Sequence, residues 1–391
     1  MRAFLFANVF TAVLGLCAGP LAAQCGGSFP DFIKGLKSEA VSLGHSPAAV
    51  DAFFATVRQD PAVLKADRAQ GVFQRPFVDF SRRLISQNRI DRGKQNAAKY
   101  DAVFDRIQAQ YGISRGVLLA FWAFETDYGA VQGDFNTANS LATLAHDCRR
   151  PELFRPQILA ALTLSEHIDF DPATTTGAWA GEIGMVQMLP GDILDYGVDG
   201  DGDGHVRLKT SAPDALMSGA NLLSHLGWRP NEPWIQEVTV PDGLDWSLTG
   251  PGKPRPVSDW TKMGVKARNG QLANLPASLL LPQGRNGPAF IAYPNFDVYF
   301  EWNQSFVYVM TAAYFATRLE GAPIYLAGTP DPGLSGEQMK ALQRKLEARG
   351  YDVGEIDGIL GAGTRVAVQA EQQRLGLPAD AWPTAELLNR L

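Results

Sequence analysis

Cysteine is scarce in this chain of 391 residues, which has three. No CxxC pair or Cys/His cluster accompanies them, and this argues against a zinc site. Excess positive charge is also missing: 35 Lys and Arg stand against 41 Asp and Glu, giving a formal net charge of -6 and a pI near 5.5. Without a basic footprint, a nucleic-acid backbone is a poor partner, and the ligand need not be charged. Beyond the N-terminus no apolar run reaches the roughly 18 residues of a membrane span, so the mature chain is expected to be soluble. What is present is ordinary for folded protein: 46% hydrophobic and 19% charged residues, in a length that suits two or three domains.

The first 23 residues read as an export signal. Arg2 supplies a positive end, Phe4 to Leu16 is apolar, and Leu21-Ala22-Ala23 offers a small-residue cleavage site. Lipoprotein processing competes through Cys17 and Cys25, but Leu16 and Gln24 precede them where the lipid-attaching machinery wants a small residue. Cleavage after Ala23 leaves Cys25 and Cys148 in an oxidising compartment, where one disulfide between them is expected. Two unpaired buried thiols are the alternative, because sequence does not place their Cα atoms within bonding distance.

The pattern from Phe29 to about Gly112 is helical, with Ser46-Pro47 as a cap followed by a first-turn proline and a long periodic stretch from Phe77 to Tyr111. Ser114 then caps a helix whose run Gly116 to Phe124 is apolar on every face until Glu125, which marks a helix in the middle of a domain. Further helices are expected at about 152–168, 184–196 and 212–227. From Trp234 to about Tyr299 short β-type runs such as Ile235 to Val240 alternate with Pro and Gly clusters, and a helix over about 305–319 returns the chain to the helical body. Residues 327–333 read as a Pro/Gly linker, and 334–391 as a three-helix unit with apolar periodicity at Met339, Leu342, Leu346 and Val366. So short a unit suits binding more than catalysis.

Four clusters carry chemistry. Glu125 ends the apolar run, and Gly129 is placed to terminate its helix. Desolvation there would raise the carboxyl's pKa and keep it protonated near neutral pH, as a general acid requires; a structural, ion-paired Glu is the competing reading. The segment Gly177 to Pro190 joins three glycines to Trp179 and Gln187, a stacking face and an amide suited to a sugar ring, although a loop leading into a core helix has the same look. The stretch Phe300 to Tyr308 sets Trp302 and Asn303 before Tyr308, and Asn303 could simply sit near a helix cap. Finally Asp199-Gly-Asp201-Gly-Asp203-Gly204 reproduces the start of a calcium loop, with the His205 carbonyl following. Arg207 and Thr210 occupy positions 9 and 12, so Asp214 would have to complete the shell; a structural calcium or sodium of reduced affinity is expected, against a solvated acidic turn.

In this order the four clusters resemble the membrane-bound lytic transglycosylase B family of lysozyme-like, peptidoglycan-cleaving enzymes, over about Cys25 to Leu326. Glu125-Thr126-Asp127-Tyr128-Gly129, the Gly177 to Pro190 segment, the acidic loop, and Trp302, Asn303 and Tyr308 carry the resemblance. It implies an α+β, mainly helical fold: a goose-lysozyme-like catalytic core with an added helical domain and a small β-containing insertion over 24–326. Glu125 takes the catalytic position and Tyr128, Trp179, Gln187, Trp302, Asn303 and Tyr308 the substrate-binding ones. Two departures stand out. Ala178 replaces an expected serine, and Trp302 an expected tyrosine, so each loses or alters a polar contact.

The C-terminal unit resembles the peptidoglycan-binding domain type 1, on Leu342-Gln343, Leu346, Gly350-Tyr351, Ile356-Asp357-Gly358, Gly361 to Thr364 and Val368-Gln369. Such a module holds an enzyme on the wall and raises local substrate concentration. The implied activity is cleavage of the N-acetylmuramic acid to N-acetylglucosamine bond with a 1,6-anhydro product, using Glu125 alone and no cofactor in the chemistry. The implied partners are peptidoglycan glycan strands and a wall-synthesis or division complex, with the enzyme a periplasmic monomer. Two alternatives remain open. One is a hydrolytic muramidase using Asp127 or Glu182 as a second carboxylate; the other is a wall-binding scaffold with a degenerate site.

Overall fold

The computed structural model describes residues 25–69, 75–167 and 170–391, so the signal segment 1–23 and Cys17 lie outside the described residues. Six helices come first: α1 (Phe29–Ser42), α2 (Pro47–Phe54), α3 (Pro61–Asp67), α4 (Phe77–Leu84), α5 (Gln87–Lys99) and α6 (Asp101–Tyr111). Ser46 caps α2 by accepting from the Ala49 amide, with Pro47 in the first turn. The Phe77 to Tyr111 stretch is three helices, not one. Ser86 caps α5 through the Arg89 amide, and Gly112 ends α6 in the left-handed region at φ 61°.

Next come α7 (Arg115–Thr126), β1 (Phe135–Asn136), α8 (Thr137–His146), α9 (Pro151–Glu166), β2 (Thr176–Gly177), α10 (Pro190–Tyr196) and α11 (Ala212–His225). α7 is buried along nearly its whole length and packs against α5, α6, α11 and the later helix α14 (Phe306–Leu319). Ser114 holds the N-cap position, but its hydroxyl makes no capping bond and is buried without a partner. The Glu320 carboxylate, two hundred residues away in sequence, accepts from the Gly116 amide in its place at 2.8 Å. The helix expected over 184–196 begins only at Pro190, because Gly184 (φ 81°) and Gln187 (φ 54°) are left-handed and break any earlier turn.

The insertion is a five-stranded antiparallel sheet, made of β3 (Ile235–Thr239), β4 (Arg255–Pro256), β5 (Lys266–Ala267), β6 (Pro276–Leu280) and β7 (Ala289–Ala292) in the order β4-β6-β7-β3-β5. Both of its faces are covered. Ile235, Leu280, Phe290 and Ala292 join the main helical core, while Val238, Leu279 and Ile291 form a second core with Trp260 of α12 (Val257–Lys262). Alternation along the strands therefore serves two cores. Then α13 (Pro294–Trp302) leads into α14.

Residues 327–333 contain no helix or strand, and α15 (Gly336–Glu347), α16 (Ala362–Arg374) and α17 (Ala385–Arg390) build the last unit around Met339, Leu342, Leu346, Ala367, Val368 and Leu387. Val366 is not part of this core. It is 62% exposed, because Val368 and Ala367 take the inward positions of α16. The linker is not a free tether either: the Trp382 indole donates to the Asp331 carbonyl and the Thr329 amide to the Asn286 carbonyl, both at 2.9 Å. Gln369 of α16 donates to the Trp246 and Thr249 carbonyls of the insertion, so the module is docked on the catalytic region.

Cys25 and Cys148 are joined in a disulfide with Cα atoms 5.1 Å apart, tying the N-terminal residue of the described chain to the loop after α8. Among the described residues no helix is long and apolar enough to cross a membrane.

Candidate active site

Glu125 lies one residue before the end of α7, at the close of its buried run. Asp127 and Tyr128, at φ 51° and 60°, stop the helix before Gly129 is reached. Two successive non-glycine residues in the left-handed region store strain beside the carboxyl. Asp127 is held there by Arg89 (3.0 Å) and Arg92 (2.5 Å), and Arg92 also donates to its carbonyl. Burial alone would raise the Asp127 carboxyl, but hydrogen bonds and charge from the two arginines outweigh it and pull the pKa below its usual value. Its lone pairs belong to an ion-pair clamp.

The Glu125 carboxyl receives two donors on one oxygen. The Trp302 indole N–H donates to Oε1 at 3.0 Å, and the Tyr308 hydroxyl donates to the same oxygen. Among the described residues Oε2 has no hydrogen-bond partner. Burial pushes Glu125 up from 4.5 to about 7, against the lowering effect of Tyr308 and Trp302 and with a smaller contribution from the Glu182 charge. Desolvation wins, so the group is poised to give up a proton near neutral pH and to accept one back. Burial likewise drives the Tyr308 hydroxyl well above its usual value, and the adjacent Glu125 carboxylate adds to this, so Tyr308 remains a donor.

Trp302 thus keeps a polar contact where the sequence suggested that one is lost. Its ring also stacks on Phe121 of α7, with centroids 4.3 Å apart, which fixes the indole N–H relative to the helix that carries Glu125. Trp302 and Tyr308, expected to contact sugar, act first on the carboxyl itself. Tyr128, also expected to contact sugar, is 8% exposed, packs edge-on to Trp122 and donates its hydroxyl to the Arg89 carbonyl at 2.8 Å. It braces the end of α7 from the core side.

The Gly177 to Pro190 segment is tied to that helix end by Thr126, a motif residue to which the sequence assigned no role of its own. The Thr126 hydroxyl donates to the Met185 carbonyl at 2.6 Å and accepts from the Gly129 amide at 2.9 Å. The glycines serve the loop's own packing, because a Cβ on Gly177 would lie 1.9 Å from the Glu182 carbonyl and one on Gly184 2.4 Å from Leu208. The Gln187 amide nitrogen donates to the Gly184 carbonyl at 2.7 Å, leaving its oxygen as the available acceptor. Trp179 is half-buried against the main core. Asn303 accepts from the Ser305 amide at 2.9 Å, so its oxygen shapes the turn between α13 and α14.

Glu182, the other candidate second carboxylate, is raised by burial, against weaker lowering by backbone amides and Arg150, and its Oε2 is buried without a partner. Burial thus disfavours its ionised form. Asp127 is committed to its two arginines, and Glu182 is buried.

The acidic loop brings Asp199, Asp201 and Asp203 together, with one oxygen from each within 4.8 Å of the others. Hard carboxylate oxygens at this spacing fit a calcium ion, whose ligands stand about 2.3–2.6 Å from the metal. Two features weaken the fit. Arg207 pairs with Asp203 at 2.7 Å, placing a built-in cation on one ligand. Asp214 is fully buried and accepts the Gly200, Asp201 and Arg207 amides, so it anchors the loop from beneath and does not join the three exposed carboxylates. The His205 amide donates to Asp203 at 2.9 Å.

The chain matches the Transglycosylase SLT domain family over residues 28–317 and a peptidoglycan binding domain over 335–391. SltB3 of Pseudomonas aeruginosa, solved in complex with NAG-anhNAM-pentapeptide, is 38% identical; the match covers 93% of this chain and 99% of that one, with a TM-score of 0.85. Membrane-bound lytic murein transglycosylase B of Escherichia coli (strain K12) is 27% identical over 237 residues, which span 60% of this chain and 64% of the relative. The Escherichia coli lytic transglycosylase Slt35, solved in complex with calcium, shares the fold at 23% identity and a TM-score of 0.65, over 78% of this chain and 98% of its own. With nearly three hundred residues matched and a close likeness to SltB3 over most of its length, the chain belongs to the Transglycosylase SLT domain family.

Proposed function

We propose that this protein is a lytic transglycosylase that cleaves the β-1,4 bond between N-acetylmuramic acid and N-acetylglucosamine in peptidoglycan and leaves a 1,6-anhydro-N-acetylmuramic acid end. The observation that carries the reading is the Glu125 carboxyl: raised to about 7 and held through Oε1 by Trp302 and Tyr308, with the neighbouring Asp127 committed to Arg89 and Arg92. Ordinary glycosidases need two carboxylates at set separations. Here one group serves twice. Protonated Glu125 gives its proton to the glycosidic oxygen as the C1–O bond breaks, and the muramic acetamido group stabilises the cation at C1. The Glu125 carboxylate then takes the proton of the sugar's own C6 hydroxyl, whose oxygen closes on C1.

Gln187, Asn303 and Trp179 line the path of the glycan as amide and stacking contacts. The anhydro-sugar bound by SltB3 is the product chemistry expected of such a site. Residues 1–23 direct export to the periplasm, in keeping with the Cys25–Cys148 disulfide. The C-terminal module holds the enzyme on the wall. A structural calcium at Asp199, Asp201 and Asp203 would stiffen the loop without entering the chemistry. Digestion of purified cell wall followed by mass spectrometry is the test: muropeptides one water lighter than hydrolytic products are expected, and fully hydrated products would return the assignment to a muramidase.

A further inference from the structure

The C-terminal module meets the catalytic region through buried polar groups with specific partners. Asp380, 3% exposed, accepts the Arg285 amide at 3.0 Å, and Gln369, 6% exposed, donates to the Trp246 and Thr249 carbonyls at 3.1 and 3.0 Å. The turn between β6 and β7 also takes Trp382 at close quarters, since a Cβ on Gly284 would lie 2.8 Å from the Trp382 Cβ. Satisfied polar groups of this kind fix one arrangement of the two parts.

Arg365 of α16 stands at the same seam. It is buried and has no ion-pair partner among the described residues. Its terminal nitrogen donates to the Pro282 carbonyl at 3.0 Å, and its guanidinium carbon lies 4.3 Å from the centroid of the Phe306 ring. Burial pushes the guanidinium down to about 9, with partial relief from the Asp380 charge, so keeping a cation here is costly, and one carbonyl and one ring face hold it. Phe306 is the buried first residue of α14, a helix with no side-chain cap, whose first turn therefore depends on packing. Tyr308 lies two residues on, about 200° around that turn, where its hydroxyl donates to Glu125 Oε1. The module thus grips one side of the turn while the opposite side meets the catalytic carboxyl. Trp302, the other donor to Oε1, ends α13 four residues before Phe306.

We propose that the wall-binding module also serves catalysis: Arg365 is a positioning residue that holds the first turn of α14 through Phe306 and so sets the Tyr308 hydroxyl on Glu125. The proposal rests on the reading above, in which Glu125 is the acid and base. Arg365 touches neither substrate nor Glu125 and acts through the helix. Its loss should therefore loosen the Tyr308 bond without removing it, and act in the same direction as removal of that bond.

Steady-state kinetics of the full-length protein on short soluble glycan strands, with their stem peptides intact, tests this, because a freely diffusing substrate needs no tether to the wall. Arg365→Met should lower kcat by about threefold to tenfold with little change in KM, and should move the alkaline limb of kcat/KM to higher pH, the direction expected when the Tyr308 bond to Glu125 weakens. In the Tyr308→Phe background the same substitution should add nothing further. Sedimentation with insoluble cell wall, measured in the Glu125→Gln background, should be unchanged by Arg365→Met. Should Arg365→Met misfold, Phe306→Leu removes the other half of the contact, leaves the module intact and decides by the same readouts. An unchanged kcat and pH limb overturn the proposal, as do effects that add in full to those of Tyr308→Phe, or a loss seen only with insoluble wall. Cleavage by the wild type separates the two levels: cleavage that does not depend on Arg365 defeats the positioning role alone, whereas no cleavage of soluble strands or of whole wall defeats the functional reading too.

Discussion

Glu125 and the Asp199–Asp203 loop set the same functional group in opposite surroundings. At the end of α7 the carboxyl is enclosed by helix and aromatic rings, and its pKa rises to about 7 even though two hydrogen bonds favour the ionised form. In the loop Asp199 is exposed, and the Gly204, Gly202 and Asp203 amides hold its carboxyl below its usual value. Burial favours the protonated carboxyl at the one site, and backbone amides favour the ionised carboxyl at the other. Hydrogen bonds to the ionised form are present in both places, so water exclusion makes the difference.

The comparison can be broken most strongly at Glu125. Glu125→Gln preserves an acceptor for Trp302 and Tyr308 but has no proton to move, and turnover of cell wall should fall by about a thousandfold or more. The same variant should be more stable than the wild type at alkaline pH. Folded Glu125 retains its proton up to about 7, whereas unfolding returns it to its ordinary 4.5, so the wild type is most favoured below pH 4.5 and loses stability as pH rises through about 7. Chemical denaturation at pH 8 should give the Gln variant an advantage of up to about 3 kcal/mol that vanishes near pH 4. An equal difference at both pH values would show that Glu125 is not desolvated.

Tyr308→Phe removes a bond that lowers the Glu125 pKa, so the fall in kcat/KM on the alkaline side should move to higher pH, with a loss of about tenfold in rate near neutrality. Trp302→Phe should shift the profile the same way by less. At the loop, Arg207→Ala frees Asp203 from its internal cation and should tighten calcium by about three- to tenfold in a calorimetric titration, while leaving the pH profile of turnover unchanged. If the profile moves with calcium, the two sites are not separate.

Glu125 was legible because an apolar run ending in a carboxyl is locally anomalous, and the helix over 305–319 and the strand at 235 followed from periodicity. What escaped depends on long-range partners. Nothing near Ser114 signals that Glu320 serves its helix, and nothing near Tyr128 signals that its hydroxyl turns to Arg89. Asp214, the carboxylate left to complete a calcium shell, anchors backbone amides because it is buried beneath the loop. Trp302 looked like a lost contact since residue type alone does not tell where an indole N–H points. The hydrogen bonds that hold the linker were not legible, because they join residues some forty to fifty positions apart.

The most direct test of Glu125 as sole acid and base is digestion of cell wall in water enriched in oxygen-18. Ring closure by the sugar's own C6 hydroxyl predicts released muropeptides with no heavy oxygen at the cleaved end, each one water lighter than a hydrolytic fragment. Incorporation of one heavy oxygen per cleavage would show that water is the acceptor, and would contradict the account.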